Sequence, residues 1–133
     1  PVVFWTGLAA LLIPLGWWMG MFSFGVHWHR LWLVPVALIG IFFTVGLVEE
    51  LVFRQVVLVF FEQRWNIPVA VVASSLFFGL SHVVRGTFPN WPYVFLATLA
   101  GLIYGVVFVR YGLSYAIVVH SGVDVFKYAF LVR

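Results

Sequence analysis

Five apolar runs, each close to the ~20 residues an α-helix needs to cross a hydrocarbon core, take up most of this chain. They cover about 2–24 ("VVFWTGLAALLIPLGWWMGMFSF"), 31–61, 68–84 ("PVAVVASSLFFGLSHVV"), 93–109 ("YVFLATLAGLIYGVVFV") and 115–132 ("YAIVVHSGVDVFKYAFLV"). The connectors between them are short: "GVHWHR", "QRWNI", "RGTFPNWP" and "RYGLS". Backbone polar groups in lipid must be satisfied within their own segment, so helices are the economical reading, and strand-like alternation is absent. With 133 residues, 65% hydrophobic and 8% charged, the chain is far from the ~45–50% apolar and ~25% charged composition of a soluble domain, and too short to hide that apolar surface in its own core. The expectation is an all-α, polytopic transmembrane helix bundle of about five spans, forming a single domain over 1–133 of an integral, multi-pass membrane protein.

Smaller features agree. Trp28, Trp32, Trp65 and Trp91 stand at run ends, where interfacial anchors sit. Ala97, Gly101 and Gly105 are spaced by four, as are Gly16 and Gly20, which lets helices approach closely. The net charge of +3 is diffuse, with no patch to hold nucleic acid. Arg85 and Arg110 read as interface anchors, and His27 and His29 as an interfacial loop rather than a metal pair. The basic residues of alternate loops show no bias that sets orientation. With no cysteine, disulfides, thiolate metal sites and a cysteine nucleophile are excluded.

Against this background the stretch "GLVEELVFRQ" places Glu49, Glu50 and Arg54 in the middle of the second run. An ionisable group within a span costs ~2.5–3.5 kcal/mol on insertion scales and is by default a functional site. The others are His82 on the third run and His120, Asp124 and Lys127 on the fifth. Glu50 and Arg54 are four apart, acid first, the favourable order for a same-face ion pair. Glu49 is turned ~100° from Glu50, so it is left without a local cation and suits a general base acting on water. Counting 1.5 Å per residue from the run ends, His120, Asp124, Glu49 and His82 spread over roughly 13 Å of depth, a gap that tilts averaging ~20° help to close. His120 and Asp124, four apart, share a face, as do Phe78 and His82. Lys127 pairs with Asp124 or snorkels, and Ser121 is a small packing residue.

Other intramembrane chemistries lack their residues. A zinc protease of the H-E-x-x-H type needs that motif, a two-aspartate protease needs a partner for Asp124, and a G-x-S-G serine nucleophile is not met by "VHSG". One free Glu, two His and one Asp remain, a set able to activate water.

In their order these residues resemble the CAAX prenyl endopeptidase and bacteriocin-processing (CPBP, Abi) family of glutamic intramembrane proteases. Its motif E-E-x-x-x-R is matched by "EELVFR" (Glu49 to Arg54), F-x-x-x-H by "FGLSH" (Phe78 to His82), and H-x-x-x-N by "HSGVD" (His120 to Asp124). The motif-bearing core spans about 40–130, and the resemblance implies further helices upstream. It also implies that Glu49 activates water, that Glu50 and Arg54 form a supporting ion pair, that His82 positions the water, and that His120 with the residue four on stabilises the oxyanion. Asp124 departs from the usual Asn. An Asn amide donates to an oxyanion, whereas an ionised Asp repels one, so Asp124 is protonated, orients His120, or serves another role.

The function expected is hydrolysis of peptide bonds in a membrane-embedded or membrane-tethered peptide or protein substrate, without a cofactor. Zinc on Glu49, His82 and His120 is the mechanistic alternative. The functional alternative is a non-catalytic membrane protein that confers immunity to a toxin peptide or scaffolds a complex.

Overall fold

A computed structural model describes residues 1–26 and 28–132; His27, read above as part of an interfacial loop, lies outside the described residues, as does Arg133. Among the described residues five helices follow one another: α1 (Val2–Trp18), α2 (Trp28–Glu62), α3 (Ile67–Leu80), α4 (Trp91–Tyr111) and α5 (Leu113–Phe130). Their bounds fall within a few residues of the expected runs, except at three places.

The first run stops being helical at Trp18, and α1 is interrupted at Leu11. Gly20 follows with φ +71, a left-handed turn that suits glycine. The chain then enters a two-residue strand, β1 (Ser23–Phe24), which pairs antiparallel with β2 (Leu131–Val132) beyond α5. Strands this short carry no alternation for the sequence to display. The third exception is α3, which ends at Leu80, so His82 lies in the turn that follows rather than inside a helix.

Helix boundaries have local causes. Asn66 caps α3, its side chain accepting from the Val69 N–H at 3.0 Å, with Pro68 in the first turn; Asn90 caps α4 through the Tyr93 N–H at 3.1 Å, with Pro92 in the same place. Gly112, at φ +88, allows the sharp reversal from α4 into α5.

Small residues set how closely the helices approach. Along the α3–α4 seam a Cβ at Gly79 would lie 2.7 Å from the Val94 carbonyl oxygen, one at Gly101 3.1 Å from the Ser75 Cα, and one at Gly105 3.0 Å from a Val71 methyl. Gly46 of α2 leaves room for Ser121 of α5 in the same way, and Gly122 of α5 faces Thr6 of α1. This is the small-residue packing expected between helices in an apolar medium, although Gly20 serves a turn instead.

By length and composition α2 and α4 are able to cross a membrane. Only 6% of the apolar window of α2 is buried, and Trp32, Val36, Ile39, Phe43, Val52 and Val56 all point outward. α4 is the central helix, with 44% of its window buried and with Tyr93, Ala97, Tyr104 and Val107 in the main core beside Phe78 and Val119.

Candidate active site

The centre of α2 is not a regular α-helix. A single α-turn, Leu47–Glu50, is flanked by π-helical segments at Phe42–Gly46 and Leu51–Leu58. Such i→i+5 segments are rare and recur at functional sites. Thr44 returns its hydroxyl to the Gly40 carbonyl at 2.7 Å, giving that backbone group a partner outside the regular ladder. Glu49 and Glu50 stand on the short α-turn, and Arg54 on the second π segment.

Glu50 and Arg54 are fully buried, with Oε2 2.9 Å from Nε. The expected pairing is present, but Glu50 does more than pair. Its Oε1 accepts a hydrogen bond from Nδ1 of His120 at 2.9 Å, across the α2–α5 interface. A carboxylate accepts only, so Nδ1 carries a proton, and the Nε2 edge of His120 is turned toward the remaining acids. There Glu49 Oε2 stands 3.8 Å away and Asp124 Oδ2 3.5 Å away. His82 Nε2 is 3.9 Å from the same Glu49 oxygen. Its other nitrogen, Nδ1, lies 2.8 Å from the Phe78 carbonyl, which can only accept. Nδ1 is therefore the donor, and in the neutral ring Nε2 is left as an acceptor facing Glu49.

The sequence-derived residues Glu49, Glu50, Arg54, His82, His120 and Asp124 thus meet in one cluster, drawn from α2, the turn after α3, and α5. The depth spread deduced from straight helices does not survive packing. Glu49 is the least buried of the acids in the cluster, with 26% of its side chain exposed, yet its Oε2 is enclosed and has no hydrogen-bond partner among the described residues. Asp124 is ion-paired with Lys127 through Oδ1 and Nζ.

Aromatic rings hold the imidazoles and were not singled out from the sequence. Tyr104 stacks on His120 (centroids 4.5 Å apart, planes at 17°), and Tyr93 stacks on His82 (5.5 Å, 12°). Phe78, which shares a motif with His82, touches both imidazoles and lies 5.2 Å beneath the Arg54 guanidinium. Two tyrosines on an apolar run carry no local signal. Their positions eleven residues apart, near the helix repeat of three turns, put them on one face of α4, but only the tertiary structure names the rings they cover.

A cavity of about 60 Å³ opens beside the cluster. His82, His120, Asp124, Arg85 and Lys127 line it together with Tyr93, Tyr104 and apolar residues of α1. Glu49 is not part of this wall; it reaches the imidazoles from the α2 side. Among the described residues no three His, Asp or Glu side chains are grouped as a metal site.

A mostly helical chain, apolar on its outer surface, thus holds buried carboxylates against imidazoles, a set able to activate water. The chain matches the family described as type II CAAX prenyl endopeptidase Rce1-like over residues 3–126, and it belongs to that family of membrane proteases. The match begins well upstream of the motif-bearing region and takes in α1. No curated protein and no solved structure matches it.

Proposed function

We propose that this chain is a multi-pass intramembrane endopeptidase that uses Glu49 to activate water, without a metal. The observation that carries the reading is the position of Glu49 Oε2, without a hydrogen-bond partner among the described residues and within 4 Å of Nε2 of both His82 and His120. Separations of 3.8 and 3.9 Å are too long for direct hydrogen bonds and suit a bridging water.

In this mechanism the water donates one hydrogen to Glu49 Oε2 and the other to His82 Nε2, which leaves its lone pair free. Glu49 takes the proton as the oxygen attacks the peptide carbonyl carbon. The oxyanion that forms is met by Nε2–H of His120, a ring flanked by Glu50 on one edge and by Asp124 and Glu49 on the other. The ring is held by the Glu50 carboxylate at its other nitrogen, and a preorganised donor of this kind is worth ~2.7–4 kcal/mol in the transition state. Glu49 then passes its proton to the leaving nitrogen, the C–N bond breaks, and the carboxylate base is regenerated. Asp124, paired with Lys127, is not an oxyanion donor; it flanks His120.

The family description points to substrates with a prenylated C-terminal CAAX box. The outward-facing apolar side chains of α2 support contact with lipid, and α1, α3 and α5 complete five spans. The turn bearing His82 then lies below the lipid surface, tolerated because it lines a protein cavity.

The test is cleavage of a prenylated CAAX peptide by the chain in liposomes, in H₂¹⁸O, with and without chelator. The expected result is one ¹⁸O in the newly formed carboxylate and no effect of the chelator. Loss of activity restored by zinc would replace the metal-free mechanism, and intact peptide would remove the peptidase reading.

A further inference from the structure

The cavity wall holds two cations, and only one of them has an acid. Lys127 is paired with Asp124. Arg85 lies three residues past His82 in the turn after α3, is exposed, and has no ion pair among the described residues; its guanidinium carbon rests 5.3 Å from the centre of the Tyr93 ring. Tyr93 is the same ring that stacks on His82. The turn is braced from behind, because Asn90 donates from Nδ2 to the Arg85 carbonyl at 2.6 Å while its Oδ1 caps α4. Among the described residues the chain therefore holds an unpaired guanidinium against the cavity that opens on the imidazoles.

We infer that Arg85 binds the free C-terminal carboxylate of the substrate peptide, with Lys127 adding a second positive charge to the same wall. This rests on the peptidase reading above. An endopeptidase acting inside a C-terminal four-residue box meets a free carboxylate no more than a few residues from the scissile bond, within ~14 Å along an extended chain. A planar guanidinium fork is the group best matched to a carboxylate, and its aromatic backing holds it in place. Such an anchor makes the enzyme read the end of a chain, so that an identical sequence in the interior of a protein is passed over. A lipid phosphate offers similar anionic chemistry and is separated by the experiment.

The full chain in phosphatidylcholine-containing micelles is titrated with a prenylated CAAX peptide ending in a carboxylate and with the same peptide ending in a carboxamide. The measurement is made for the wild type, Arg85→Gln and Arg85→Lys, and repeated with phosphatidylglycerol added. The wild type is expected to bind the carboxylate on the order of tenfold more tightly. Arg85→Gln is expected to lose that preference with little change toward the amide, and Arg85→Lys to keep part of it. Equal binding of the two peptides by the wild type overturns the inference. So does an Arg85→Gln effect confined to phosphatidylglycerol, which assigns the residue to lipid. Carboxylate preference without cleavage of either peptide upholds the anchor and removes the peptidase mechanism instead.

Discussion

Glu50 and His120 lie seventy residues apart in sequence and 2.9 Å apart in space, carboxylate oxygen to Nδ1. With Arg54 on the other carboxylate oxygen, Glu50 joins a buried cation to the imidazole at the centre of the cluster. Glu50→Gln keeps the shape and removes the charge, leaving the Arg54 guanidinium buried without a counter-ion. Breaking a buried pair in this way costs about 3–5 kcal/mol. Denaturant or thermal unfolding in micelles is expected to show that loss, and unchanged stability would contradict the assignment.

His82 has a different part. Its Nδ1 is occupied by the Phe78 carbonyl, and its Nε2 faces the Glu49 oxygen. His82→Ala is expected to lower kcat by roughly 10²-fold or more while KM changes little, because in the proposed mechanism the ring orients water rather than substrate. Steady-state cleavage kinetics decide it; a rise in KM at constant kcat would move His82 to substrate binding.

Asp124 and Lys127 form a pair at the edge of the cavity. Lys127→Met leaves Asp124 without its cation, and Asp124→Asn removes the charge that needs one. The double variant is expected to be more stable than the sum of the two single changes implies, with a coupling of about 1–3 kcal/mol. Additive effects in a double-mutant cycle would show that the pair does not interact.

Two glycines give a contrast in packing. The Cβ of Gly46→Ala would collide with the Ser121 hydroxyl, a removable group, whereas the Cβ of Gly79→Ala meets the Val94 backbone carbonyl at 2.7 Å as well as the Thr98 hydroxyl. Each substitution is expected to cost about 1–3 kcal/mol by overpacking. Ser121→Ala should restore much of the stability of Gly46→Ala, and Thr98→Ala should restore little of that of Gly79→Ala. Thermal unfolding of the four variants checks both halves.

The helical layout was largely legible because hydrophobicity in this chain is nearly continuous and the breaks fall at Gly, Pro and Asn. The Glu50–Arg54 pair was legible for a local reason, since spacing by four aligns side chains on any helix. That Glu49, His82 and His120 come together was also legible, but the contacts that hold them were not. His120 meets Glu50 as well as Glu49 because α5 packs closely on α2 where Gly46 has no side chain. His82 falls outside the helix that carries Phe78, yet it turns back to bond the Phe78 carbonyl. Tyr93 and Tyr104 looked like two more apolar-run aromatics, and the paired strands Ser23–Phe24 and Leu131–Val132 are too short to leave a pattern. The π segments around Glu49 leave no sequence trace that periodicity detects.

In the proposed mechanism the side chain of Glu49 carries the base, while Glu50, one residue on, carries the structure. Single-turnover cleavage of a prenylated CAAX peptide in liposomes, comparing wild type with Glu49→Gln at equal folded protein, tests it most directly. The account predicts a fall in the cleavage rate of about 10²–10⁴-fold with peptide binding and thermal stability preserved. A Glu49→Gln variant that cleaves within a few-fold of the wild-type rate would contradict it.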